Sequence, residues 1–107
     1  MNNLNNRYGI CVLLDCSEIS KFRITRQEEN NRAYISFYKV IDAGMFELTS
    51  ATVNLSDANY LGNEIAVILN NVLNRKSKQY LVCYTSPEDN KTHACLLSDY
   101  VTKIVID

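Results

Sequence analysis

Residues 53–76 read VNLSDANYLGNEIAVILNNVLNRK, the one long stretch of this chain with helical periodicity. Leu61, Ile65, Ile68 and Val72 recur at helical spacing, and Ala58, Leu69 and Leu73 widen the apolar stripe. Ser56 is a good N-cap, and Asp57 places negative charge in the first turn, where the helix dipole favours it. Arg75, Lys76 and Lys78 place positive charge at the far end. Gly62 in the middle costs about 1 kcal/mol against Ala, so the stripe carries the assignment. The reading is one helix over about residues 56–75.

Almost everything else has the pattern of strand. Residues 8–14 (YGICVLL) form a continuous apolar run, the signature of a buried central strand. Residues 21–27 (KFRITRQ) alternate, with Phe22 and Ile24 on one side and Lys21, Arg23 and Thr25 on the other. A polar turn at 28–31 leads to residues 32–41 (RAYISFYKVI), where Ile35, Phe37 and Ile41 oppose Tyr34, Ser36 and Tyr38. In residues 45–55 the apolar parity changes from Phe46 and Leu48 to Ala51, Val53 and Leu55, which predicts a bulge near 49–51. After the helix, residues 79–85, 92–97 and 100–106 read as three more strands. The expected fold class is α+β: an antiparallel sheet of about six or seven strands packed on one long helix, in the order ββββαβββ.

Length sets further bounds. The chain has 107 residues, enough for one α+β domain over 7–107, with residues 1–6 expected as a disordered N-terminal tail. One helix covers one face of a sheet, so the other face must meet water, a second copy or a ligand. The net charge of −1 does not favour a nucleic-acid binder as a whole, but six basic residues fall within 1–39 against four acidic ones. No apolar run approaches the roughly 18 residues of a membrane span. Cys11, Cys16, Cys83 and Cys95 lie mostly in apolar runs, without a CxxC pair, which is the pattern of buried reduced thiols and of a cytoplasmic protein.

No catalytic signature is visible. His93 is the single histidine, two residues before Cys95, at the limit of reach for a nucleophile–base pair on a strand. The many carboxylates have no metal-ligand spacing, and none of the glycines stands in a phosphate-binding loop. The reading is a binding module rather than an enzyme, without cofactor or metal.

The most informative surface is the hairpin of residues 21–41. If its strands pair, Lys21, Arg23 and Thr25 lie beside Tyr34, Ser36 and Tyr38 on one face. Cations that track phosphates and phenol rings that stack on bases make a platform for single-stranded nucleic acid. The alternative is a solvent-facing sheet stabilised by cross-strand tyrosine pairs.

The order of a basic–aromatic strand, the AYISFY strand, a third strand ending in VNLS and an amphipathic helix resembles single-stranded-DNA-binding domains of the PC4/Pur-alpha/Whirly type over residues 21–73. That resemblance implies a curved sheet that binds single strands and a helix that serves packing and dimerisation. It also implies a face containing Lys21, Arg23, Tyr34, Tyr38 and Lys39. The chain departs from the type in its acidic balance and in its strands after the helix. The expected partner is single-stranded nucleic acid or, alternatively, a protein bound through the same face or an edge strand, as by a phage or mobile-element inhibitor. A homodimer is expected, with residues 100–106 or the helix at its interface.

Overall fold

The computed structural model describes residues 9–73, 75 and 77–105. The expected tail at 1–6 lies outside them. Six strands and one long helix follow in order: β1 (Ile10–Asp15), β2 (Lys21–Gln27), β3 (Arg32–Ile41), β4 (Gly44–Asn54), α1 (Leu55–Val72), β5 (Tyr80–Thr85) and β6 (Thr92–Leu96). A single helical turn, α2 (Leu97–Tyr100), continues into a π-turn at Val101–Val105.

The α+β class holds, and the strands are antiparallel, but they form two three-stranded sheets rather than one. Sheet order is β1-β5-β6 in one and β2-β3-β4 in the other. β1 pairs with β5, far away in sequence, from Ile10 opposite Tyr84 to Asp15 opposite Tyr80. It is therefore an edge strand, not the central one its apolar run predicts. One face of the run meets protein, while Cys11 and Leu13 on the other are exposed. Val12 and Leu14 join the main core, whereas Ile10 faces a second cluster built on Val82, Tyr84 and Tyr100.

The main core joins both sheets to the helix. Ala33, Ile35 and Phe37 of β3, Leu81 and Cys83 of β5, and Leu61 and Ile65 of α1 are buried together. The apolar stripe is thus correct as far as Val72, but Leu73 is 77% exposed and caps the helix instead of packing. The helix begins at Leu55 with Asn54 as its N-cap, two residues before the expected cap at Ser56. It ends before the basic cluster, so no basic residue lies in its last turn, and Lys78 instead reaches Asp15 at 3.4 Å. Lys76 lies outside the described residues. Gly62 has a packing reason: a Cβ there would stand 3.0 Å from Ile24 Cδ1, so glycine lets α1 approach β2 closely.

The last expected strand, 100–106, is a correction. Val101 has helical φ and ψ of −60° and −44°. Tyr100 is fully buried, edge-on to Tyr84 with ring centroids 5.0 Å apart. Docking of this segment on the outer side of β5 overrides the strand preference of its β-branched residues. Over the described residues the order is therefore ββββαββ followed by helical turns, and residues 100–105 supply no strand to a dimer interface. The bulge is real but sits at Leu48, which is skipped between Glu47, opposite Tyr38, and Thr49, opposite Phe37. It turns Leu48 to the core and lets Glu47 face out.

One flank of α1 lies along the free edge of β6. Asp57 Oδ2 accepts the Thr92 N–H at 3.0 Å, Tyr60 Oη donates to the Thr92 carbonyl at 2.8 Å, and Glu64 Oε1 accepts the Ala94 N–H at 3.0 Å. Asp57 is 2% exposed. Replacing Asp57 by Ala leaves a buried N–H unsatisfied and should destabilise the fold by about 1–3 kcal/mol, whereas Asp57→Asn keeps an acceptor and should lose less. Urea unfolding of the two variants checks this, and equal losses would show that the hydrogen bond is not the cause.

Candidate nucleic-acid interface

Alternation dictates the outer face of the β2-β3-β4 sheet. Phe22 and Phe37 pair inward with ring centroids 6.1 Å apart, and Ile24 pairs with Ile35. Lys21, Arg23 and Thr25 must then point outward, opposite Tyr38, Ser36 and Tyr34 respectively. β4 extends each row: Tyr38 faces Glu47, Ser36 faces Ser50 and Tyr34 faces Thr52. Arg23 lies over the Tyr38 ring, its guanidinium carbon 5.8 Å from the centroid. Tyr34 is 37% exposed, and Lys21, Arg23 and Thr25 are exposed. Among the described residues, neither Lys21 nor Arg23 meets a carboxylate.

Six of the seven sequence-predicted residues thus share one face. Lys39 does not. It pairs with Phe46 on the opposite parity, and its Nζ bonds Glu18 Oε2 at 2.8 Å. Arg32 was missed, although it shares the parity of Tyr34, Ser36 and Tyr38 and was legible from it. Arg32 faces Asn54 across the strands, and its Nη1 donates to Asn54 Oδ1 at 2.7 Å. This bond draws the Asn54 side chain away from capping α1. Arg26 points to the inner side, where its Nη2 donates to Asn59 of the helix. The charged groups of the outer face are therefore Lys21, Arg23 and Arg32 against Glu47.

The second titratable group of interest surrounds His93. Its Nε2 is 2.9 Å from Asp89 Oδ2, and its Nδ1 is 3.4 Å from Glu64 Oε2. The Tyr60 and Tyr84 rings flank it at 5.4 and 6.2 Å. Partial burial alone would lower the His93 pKa, but hydrogen bonds to Asp89 and Glu64 and their charges outweigh it, so the net direction is upward. The Asp89 carboxyl is held below its usual range, first by its hydrogen bond to His93 and then by the Lys91 N–H. Cys95 packs against the Val82–Tyr84–Tyr100 cluster, and burial pushes its thiol up to about 11. His93 is thus engaged by carboxylates, while Cys95 is held as a thiol. The cysteines are free, but Cys11 is exposed rather than buried as expected.

No family model matches this chain, and no curated protein or solved structure matches it. Among the described residues, no group of His, Cys, Asp and Glu is arranged to hold a metal ion, and no helix is long and apolar enough to cross a membrane.

The His93 cluster has a pH consequence. Unfolded histidine titrates near 6.5 and the folded value is higher. The stabilisation by protonated His93 is therefore fully present below about pH 6.5 and is lost as pH rises through the folded value. Asp89, with its lowered pKa, contributes stability above about pH 4 that is lost as pH falls through its folded value. Ring-proton NMR should place the His93 midpoint above 6.5, and the stability gap between the native chain and His93→Gln should be larger near pH 6 than near pH 8.5. A midpoint at or below 6.5 would overturn the assignment.

Proposed function

We propose that this protein is a binding module for single-stranded nucleic acid and that the outer face of β2, β3 and β4 is its platform. The observation that carries this reading is the row structure of that face. Lys21 and Arg23, free of carboxylate partners among the described residues, stand beside Tyr38 and Tyr34 on the sheet face opposite the buried core. Successive rows on one face are spaced about 7 Å apart, which suits bases stacked on rings with phosphates beside them. Overall acidity does not oppose this, because the local charge on the face is basic.

A second reading is docking of a protein, favoured by the tip of the β3–β4 hairpin. Val40, Ile41, Met45 and Phe46 are each 44–53% exposed there. This apolar tip, rather than residues 100–106, is the better candidate surface for a homodimer.

Fluorescence anisotropy with labelled oligothymidine at low salt tests the first reading. Tyr34→Ala and Tyr38→Ala should each weaken binding by roughly 1–3 kcal/mol through lost stacking. Arg23→Ala should make the log–log salt dependence shallower by about 0.7. Duplex competitor should compete poorly. Absence of binding at tens of micromolar protein would remove this reading and leave the tip. In that case a mass near 24 kDa by light scattering, reduced by Phe46→Asp, would support self-association of the 12.2 kDa chain.

A further inference from the structure

The platform has a closed end. Beyond the Thr25–Tyr34–Thr52 row comes the row of Gln27, Arg32 and Asn54, where the sheet stops. There a hollow of about 280 Å³ opens between the two sheets, lined by Arg32, Thr52 and Asn54 on one side and Thr85, Asn90 and Thr92 on the other. Its size falls just under the roughly 300–1,000 Å³ of pockets that enclose whole small ligands. It suits one end of a chain better than an independent molecule.

The lining chemistry is selective. Apart from Val53, the described lining residues carry one guanidinium and neutral hydroxyl and amide side chains, and none is a carboxylate. Asp57, behind Thr92, is buried and accepts the Thr92 N–H. A guanidinium with neighbouring hydroxyls and amides offers charge-assisted hydrogen bonds to phosphate oxygens. Tyr34 and Arg32 stand two residues apart on one strand face, about 7 Å, so a base stacked on Tyr34 brings its own phosphate to Arg32. Past that point Thr85, Asn90 and Thr92 wall the track. An internal phosphate has to continue into the next nucleotide, but a terminal one does not.

We propose that this hollow holds the terminal phosphate monoester of a bound single strand, an inference that rests on the platform reading above. A terminal monoester carries more charge and more free oxygens than an internal diester, and the guanidinium distinguishes them on that basis.

The test compares oligothymidines of equal length bearing a 5′-phosphate, a 3′-phosphate or only hydroxyl ends, together with a circular single strand, against the full chain. One phosphorylated end should bind about tenfold tighter than the hydroxyl-ended strand, and which end does so fixes the polarity of the track. Arg32→Gln should abolish that advantage, so that phosphorylated and hydroxyl-ended strands bind the variant with equal affinity. Asn90→Asp, which keeps a residue tolerant of the positive φ of 59° at this turn, puts a carboxylate in the hollow and should have the same effect. Equal affinity for all four strands would overturn the hollow and leave the platform standing. If no strand binds, the platform falls, and thymidine 5′- and 3′-monophosphates decide the hollow alone. Amide NMR shifts centred on Thr85, Asn90 and Thr92 with one monophosphate but not with thymidine would uphold it; their absence would overturn it.

Discussion

The architecture depends on how the free edge of β6 is closed. An edge strand exposes alternate backbone N–H and C=O groups that must find partners or invite another strand. Here the partners are side chains from a helix. Asp57, Tyr60 and Glu64 fall at i, i+3 and i+7 on one face of α1 and bond the outward groups of Thr92 and Ala94. One residue further round the same helix, Ala58, Leu61 and Ile65 are buried in the core shared by both sheets. A single helix thus seals an edge with its polar stripe and fills the interior with its apolar one.

This closure explains how the two sheets differ. The β1-β5-β6 sheet has the shared core on one side and the Tyr100 segment on the other, so its central strand β5 is apolar on both faces. Among the described residues the β2-β3-β4 sheet has only its inner face covered, and its strands alternate. With the helix committed to β6 and the interior, no other described element covers the outer rows of Lys21, Arg23, Tyr34 and Tyr38. The candidate interface is the consequence of one helix serving two sheets.

His93 sits where these constraints meet. Glu64 uses one carboxylate oxygen for the Ala94 N–H and the other for the histidine ring. The ring also meets Asp89 in the turn before β6. Its protonation therefore bears on the seam between helix and strand, which is a structural task for the residue that chemistry alone would first single out as a catalyst.

The local sequence determined whatever depends on neighbouring residues. Period-two alternation set which side chains of β2 and β3 face out, and so six of the seven candidate site residues. It also held the clue to Arg32. The parity change in β4 announced the bulge, and the apolar stripe of α1 announced its buried face. Tertiary structure alone decided what depends on distant partners. Pairing of β1 with β5 brings together segments about seventy residues apart, and an apolar run carries no record of which strand it will join. The segment 100–106 has strand-forming residues, yet burial of Tyr100 against Tyr84 outweighs their modest preference. Asp57 and Glu64 read as ordinary helix-surface carboxylates until an unpaired strand edge is laid against them. Backbone hydrogen-bond demand at that edge is a property of the assembled sheet, and no single stretch of sequence contains it.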